Sequence, residues 1–486
     1  MLHAGVGRTT LTPPLGTPLI GYGGREQGAD SVRDDIYATS LVLSDGATTV
    51  ALVTCDLCAL PMQQVRYAQR LIQERTGIPP EHVLLNTSHA HAGPLTTYNE
   101  ETPESLRQVV VALLDAIAES VVQAAAALVP CQIAAGKGSV HASINRRARN
   151  GYSDAFTPEF PEGTVDPALD VVRIDGVDGT PLAVLTSYAC HLVALRPPSH
   201  AISADFVCAL RETVEPGVGA PLLFAQGAAG NLVPIGPDME MEERLNLTGQ
   251  MLGAEALRVY ASLGAEASRH LESPAAPTAD TPISHEPCAA PGGEEVQASE
   301  STTSPSTEAH RPNSSRSARS LGVSELPSST SGKSNPPPRP ALAAASEVLL
   351  LDLWTDQPPL ADAGRSHQTF PYLTPPLVNG KVECAVQALR IGDVAIVGVA
   401  GEAFVEIGLT VKARSPVPHT IFLGYTNGCL GYIPTAAAYP AGGYEVHRAH
   451  AVYRLPNTIA PDSASIIISA CQELLARMRI NPVYVP

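Results

Sequence analysis

Between residues 271 and 340 the chain carries 12 prolines and 15 serines, no aromatic residue and only six Leu, Ile, Val or Met. A stretch of that composition cannot bury enough apolar surface to offset the entropy of ordering it. It is expected to be a disordered insertion over residues 266–345, and the fold has to be arranged around it. The 486 residues then reduce to two ordered blocks, 1–265 and 346–486. No internal repeat of 20–50 residues is visible.

The first block alternates short β-branched runs with helical spacing. Residues 41–43, 49–54, 82–85, 182–188 and 221–225 read as strands. Residues 62–75, 103–128 and 245–263 read as helices, the first stopped by Gly77, Pro79 and Pro80. In the second block the apolar pattern resumes at Ser346. Residues 386–391 and 394–399 read as paired strands joined at Gly392-Asp393, with helices over 404–413 and 459–479. The alternation predicts an α/β fold with a mixed β-sheet core and flanking helices. Long Pro/Gly-rich loops fall at the strand ends, where such folds place their sites.

Composition narrows the function. Lys+Arg number 31 against Asp+Glu 48, a net charge of −17. That argues against nucleic acid as a partner and against docking on anionic membranes. No run approaches the ~18–20 continuous apolar residues of a membrane span, and the first residues lack the basic and apolar regions of a signal peptide. The nine cysteines are odd in number. Cys55, Cys58, Cys190, Cys208, Cys384 and Cys471 fall in apolar runs and read as buried thiols rather than a disulfide framework. The expectation is a cytoplasmic protein acting on a small molecule; the sequence sets no oligomeric state.

The sharpest local feature is Ser88-His89-Ala90-His91-Ala92-Gly93-Pro94, directly after the strand 82–85. Histidines at i and i+2 share one face if the strand continues, a spacing that suits zinc or two buried structural histidines. His191 ends the apolar run 182–190. Glu402 follows the run 394–400, where a buried carboxylate needs a partner or a metal unless it serves the first turn of the next helix. Tyr432 lies in Asn427-Gly428-Cys429-Leu430-Gly431-Tyr432-Ile433-Pro434-Thr435 and on its own reads as core. The small residues of Gly227-Ala228-Ala229-Gly230-Asn231 let backbone N–H groups approach an anion closely, or simply make a tight turn. Neither a G-x-S-x-G elbow nor an H-E-x-x-H helix is present. For a hydrolase, metal-activated water is then the most economical mechanism.

Taken in order, these motifs resemble the N-terminal catalytic domain of the neutral/alkaline (non-lysosomal) ceramidase family. The resemblance rests on Gly5-Val6-Gly7-Arg8 with Thr12-Pro13-Pro14, on Ser88 to Pro94 and on Asn145-Arg146. It continues through Ala189-Cys190-His191 with Ser203-Ala204-Asp205, Gly401-Glu402, and Asn427 to Tyr432 with Thr435. It implies the family's fold, with 1–265 and 346–486 as two parts of one catalytic domain. It also implies a zinc ion held by His89, His191, Glu402 and Tyr432, with His91 beside the metal or facing an oxyanion. Arg146 would orient substrate or stabilise charge, and Gly227, Gly230 and Asn231 would form a substrate or oxyanion loop.

Two departures bear on activity. The family's G-D-x-S-P-N is Gly230-Asn231-Leu232-Val233-Pro234 here, so a serine cannot take part at that position and ceramide specificity is placed in doubt. The chain also runs only from Tyr432 to Pro486 beyond the last motif, too short for the family's C-terminal immunoglobulin-like domain. The expected function is zinc-dependent cleavage of an amide C–N bond in a soluble substrate. Ester or lactone hydrolysis, or acyl transfer or condensation in a biosynthetic pathway, suits the same site. True ceramide hydrolysis and a non-catalytic metal-binding protein are the remaining readings.

Overall fold

Apolar runs as unbroken as Val50-Ala51-Leu52-Val53 need burial on both faces of a strand, and two sheets lying face to face supply it. The structure is a computed structural model. It describes residues 1–22, 25, 27–98, 100, 102–147, 162–272, 342–355 and 375–478, with backbone only for 265–272. Residues 1–271 and 339–486 form one unit.

The larger sheet has eight strands: β1 (His3–Thr10), β2 (Tyr37–Ser44), β3 (Thr49–Cys55), β4 (Val83–Thr87), β5 (Val129–Ser139), β6 (Ala168–Gly176), β7 (Pro181–Tyr188) and β8 (Leu222–Gln226). Their spatial order is β8-β7-β6-β5-β1-β2-β3-β4. The pairs β3–β4 and β7–β8 are parallel and the other neighbours antiparallel. The smaller sheet runs β9 (Leu342–Leu351), β10 (Lys381–Ile391), β11 (Val394–Val399), β12 (His419–Leu423), with the short strand Leu377–Val378 also paired to β10. In it only β11–β12 is parallel.

Between the sheets, Leu41, Leu43, Val50, Leu52 and Leu84 of the first meet Leu389, Ile391, Val394, Ile396 and Ile421 of the second. Each such side chain contributes roughly 1.5–3 kcal/mol on full burial. The alternate residues Val42, Ala51 and Val53 point away, toward helices α1 (Met62–Thr76), α2 (Glu104–Ala126), α3 (Phe206–Val218) and α4 (Met241–Glu272). Beyond the smaller sheet, Ala395, Val397 and Val399 pack under α5 (Val405–Arg414) and α6 (Ser463–Arg477) through Ile407, Val411, Ile467 and Leu474. The order of layers is helix, sheet, sheet, helix.

The expected strands, helices and mixed-sheet core are present, and the core comprises a large mixed sheet and a smaller one. Strand β1 was read only as a motif, because its glycines weaken a strand pattern. They are there for α2: a Cβ on Gly5 would stand 2.0 Å from the Ala124 carbonyl, and one on Gly7 2.1 Å from that of Ser120. Helix α2 is long and apolar enough, by length and composition, to cross a membrane. Here Val110, Leu113, Leu114, Ile117 and Val121 bury its inner face in the core. Of the expected insertion, residues 273–341 lie outside the described residues. Its two ends are regular elements, since α4 runs on to Glu272 and β9 already begins at Leu342. All eight cysteines among the described residues are free and buried.

Candidate metal centre

The loops that leave β3, β4, β7, β8, β11 and β12 converge on one buried point, and backbone hydrogen bonds lace them together. The Thr87 N–H donates to Tyr425, His91 to Leu192, Gly424 to Gln226 and Tyr425 to Gly401. Two buried amides complete the lacing. Asn86 Nδ2 donates to the Gly424 carbonyl at 2.7 Å, and Gln226 Nε2 donates to the carbonyls of Ser88 (2.8 Å) and Cys190 (2.6 Å). The segments that carry His89, His191 and Tyr425 are thus held to one another without using the imidazoles.

Strand β4 stops at Thr87, so the two histidines of His89-Ala90-His91 do not share a face by strand alternation as expected. They meet through a turn. His89 has φ +64°, a left-handed backbone that costs a non-glycine residue energy and is retained where surrounding structure enforces it. Its N–H bonds the Leu57 carbonyl at 2.9 Å, and its Nδ1 donates to the Cys58 carbonyl at 2.7 Å. A carbonyl only accepts, so the proton is on Nδ1 and the Nε2 lone pair faces inward. His191 repeats the device, with Nδ1 donating to the carbonyls of Ala229 (2.6 Å) and Leu232 (3.1 Å).

Glu402 lies in the two-residue strand Glu402–Ala403, which pairs in parallel with Tyr432–Ile433. That register sets Glu402 directly beside Tyr432. It also settles the alternative for Glu402, because the first-turn acid of α5 is Glu406. The Glu402 Oε2 stands 3.2 Å from Nε2 of both His89 and His191. The His191 Nε2 is nevertheless buried without an aligned hydrogen-bond partner. Two imidazole nitrogens and a carboxylate oxygen that converge this closely suit a cation placed among them. His89, His191 and Glu402 offer ligand atoms within 4.8 Å of one another, as do Cys58, His89 and His91.

The charges agree with that fit. Burial pushes the Glu402 carboxyl up, but the neighbouring His89 charge and hydrogen bonds from both histidines outweigh it and hold the group well below the usual carboxylate range. Burial lowers His191 to about 4. Burial, with His89 and His191 nearby, holds His91 well below the ordinary histidine value. His89 differs: burial lowers it, yet the Cys58 thiol and Glu402 outweigh burial and raise it to about 10. The Glu402 anion therefore calls for one positive charge at His89 Nε2, a proton or a metal ion.

Arg146 and Tyr432 are joined. The buried Arg146 Nη2 donates to the Tyr432 hydroxyl and to the Gly230 carbonyl, both at 3.0 Å, and Nε pairs with Glu445 at 2.8 Å. Arg147 shares Glu445 at 2.7 Å. Arg146 thus fixes the tyrosine oxygen. His91 Nε2 stands 3.0 Å from His89 Nε2, while its Nδ1 is buried and unpartnered.

The expected oxyanion loop has another duty. The N–H groups of Gly227 and Gly230 are already given to the carbonyls of Tyr188 (2.9 Å) and Ala403 (2.8 Å). Gly230 is a glycine because a Cβ would stand 2.3 Å from the Glu402 carbonyl. Asn231 Oδ1 accepts from the Val405 N–H at 2.9 Å, at the start of α5. Gly230 and Asn231 thus hold the strand of Glu402 in place, Gly227 braces the end of β7, and the N–H groups expected to face an oxyanion at Gly227 and Gly230 are taken up in these bonds.

Three tyrosines went unread in the sequence. The Tyr453 hydroxyl donates to Glu402 Oε1, and Tyr425 stands 3.5 Å from Oε2 while stacking on His89 at 4.3 Å. Tyr444 packs edge-on against Tyr432 at 5.7 Å. Single aromatic residues in loops carry no period that would mark them. Tyr453 leaves Glu402 one oxygen for a metal and fixes its direction. Tyr453→Phe is expected to weaken metal binding by ~10–100-fold with the fold intact, as measured by competition with a chelator.

Residues 2–219 match the family described as neutral/alkaline non-lysosomal ceramidase, N-terminal. A neutral ceramidase of Mycobacterium tuberculosis is 30% identical over 42% of this chain and 34% of its own length. A neutral ceramidase of Pseudomonas aeruginosa is 24% identical over 91% of this chain and 68% of its own length. The crystal structure of neutral ceramidase from Pseudomonas aeruginosa superposes on the whole chain and on 76% of its own, with a TM-score of 0.65 at 18% identity, a likeness of fold. A ceramidase complexed with C2 gives 0.66 at 17%, over the whole chain and 77% of its own. Residues 2–219 thus match the neutral/alkaline non-lysosomal ceramidase N-terminal family, and the chain shares the fold of neutral ceramidase.

Proposed function

We propose that the chain is a zinc-dependent hydrolase that cleaves an amide C–N bond of a small molecule. The observation that carries this is the convergence of His89, His191 and Glu402 around one buried point, with both Nδ1 atoms already bound to carbonyls. Two imidazoles and a carboxylate, with the tyrosine oxygen of Tyr432 set beside them by register, match the mixed N/O donor sets that zinc accepts. His89, His191 and Glu402 would hold the zinc ion, which when bound would supply the activation of water near neutral pH and the polarisation of a carbonyl.

The protein side chains supply the rest. Glu402, held ionised, provides the negative charge of the site. His91 stays neutral at pH 7 and is buried beside His89, so it can take up a proton from a reacting group and return it to the leaving nitrogen. Arg146 acts through Tyr432, whose hydroxyl it positions. Val233 stands where the family pattern has serine, so no acyl-serine can form there and water is the nucleophile. The relatives are named for ceramide, one member of the class of acyl amides to which the substrate belongs. Free thiols suit a reducing compartment, in keeping with a cytoplasmic protein.

Metal content by mass spectrometry tests this reading, together with hydrolysis of N-acyl amides. About one zinc per chain is expected, with cleavage abolished by chelation and restored by zinc. The ligands come from segments far apart in the chain, so metal binding is linked to folding. Stripping zinc should lower the melting temperature, by the free energy of the lost binding. His89→Ala should melt where the apo protein melts. Apo and zinc-treated protein melting together, with no metal found, would remove the basis for the proposal.

A further inference from the structure

A guanidinium packed against His91 meets no carboxylate among the described residues. Arg25 Nη1 donates to the carbonyls of His91 (2.5 Å) and, at longer range, Ile20 (3.5 Å), and Nη2 donates to the Ser199 carbonyl (3.3 Å). Its cation lies 4.9 Å from the centre of the Tyr22 ring, which stands edge-on to the His91 ring at 4.9 Å. His91 in turn reaches His89, so Arg25 is two contacts from the metal centre. Its Nε is buried and has no hydrogen-bond partner.

No carboxylate pairs with Arg25 among the described residues, in a chain with 48 acidic residues against 31 basic ones. By contrast, the buried Arg146, Arg147 and Arg211 each meet a carboxylate within 2.9 Å. Carbonyls satisfy part of this half-buried guanidinium but supply no full negative charge, and even partial removal of an unpaired charge from water is unfavourable. The unused donors are the Nε–H and the second Nη2–H. In a planar guanidinium these make one edge, the fork that fits a carboxylate with two parallel hydrogen bonds.

We propose that this edge receives a carboxylate of the substrate, so that the molecules cleaved are N-acylated amino acids rather than neutral amides. The inference rests on the amide-hydrolase reading of the His89–His191–Glu402 centre and deepens it. In the reaction the oxygen of water bonds to the acyl carbon and the C–N bond breaks. One proton goes to the leaving nitrogen, so that a fatty or short acid and a free amino acid are released. An amino acid's carboxylate is one carbon removed from the nitrogen, which suits an anchor that lies beside the reacting centre rather than within it. Arg25 would then act as a specificity residue.

The test is calorimetric binding to the zinc-loaded full chain, using N-acetylalanine, N-acetylleucine and N-acetylphenylalanine, each beside its carboxamide. Wild type is expected to bind at least one acid at least ~30-fold more tightly than its carboxamide, and Arg25→Gln to abolish that difference while leaving carboxamide binding unchanged. Arg25→Lys, which keeps the charge but loses the fork, should fall between. Equal binding of acid and carboxamide by wild type would overturn the proposal. So would a preference that survives in Arg25→Gln, as direct carboxylate binding to zinc would produce. Arg25→Gln and Arg25→Lys losing acid and carboxamide alike would assign Arg25 to holding its loop and would also overturn it. Hydrolysis of the same compounds is scored separately: tight, Arg25-dependent binding without cleavage would sink the hydrolase reading and leave the carboxylate site standing.

Discussion

Glu402→Ala is expected to leave the purified chain with almost none of the metal that wild type retains, and with no measurable hydrolysis. Among the described residues Glu402 is the one carboxylate that faces both His89 and His191, and it supplies the anion that any cation there must meet. Its loss should weaken metal binding by more than the ~10–100-fold that follows removal of an outer hydrogen-bond partner. Glu402→Gln sharpens the comparison. It keeps an oxygen for Tyr453 and most of the packing but removes the charge, so it should fold like wild type and still lose the metal. Mass spectrometry on the three proteins, purified identically, reads the result. Full metal content in Glu402→Ala would mean that the cation is held elsewhere.

The second large effect is expected at Glu445. This residue is fully buried between Arg146 and Arg147, with a contact to each below 3 Å. Glu445→Ala leaves two guanidiniums in the interior without their shared anion. Breaking a buried pair from one side costs about 3–5 kcal/mol, which for a unit of this size lowers the melting temperature on the order of 3–6 °C. The damage should extend to the site, because Arg146 would no longer be aimed at the Tyr432 hydroxyl. Scanning calorimetry with and without zinc separates the two consequences. A drop below ~1 kcal/mol would show that the arginines find other partners or water.

How much of this was legible in the sequence differs by residue. Each ligand position follows a strand or an apolar run: His89 after β4, His191 after β7, Glu402 after β11. Strands with two buried faces are unbroken apolar runs, and a polar residue at the end of such a run stands out. Tyr432 could be placed only through resemblance, because its partner Glu402 is set by a two-residue pairing that no periodicity reveals. Glu445, Tyr425 and Tyr453 leave no sequence pattern for the same reason: each acts through contacts with residues 20 or more positions away. Strand β5, with its Ala-Ala-Gly-Lys-Gly run, has weak intrinsic strand preference and is kept extended by its neighbours. Helix α3 was passed over because Pro216 and Gly217 interrupt its last turn.

The covering of one sheet by the other has a consequence for how the molecule comes into being. Leu41, Leu52 and Leu84 are sealed by strands that begin only at Leu342. A ribosome adding ~5–20 residues per second needs roughly 7–30 seconds to synthesise residues 342 to 486. Throughout that interval the first half presents a greasy surface to the cell, and chaperones are its natural cover. In the finished molecule the relation is reversed. A single protease cut between residues 272 and 342 would leave every described strand whole, and the two fragments would stay together through their shared interior. His89 and His191 would then sit on one polypeptide and Glu402 and Tyr432 on the other, so the proposed metal would act as a clasp between them.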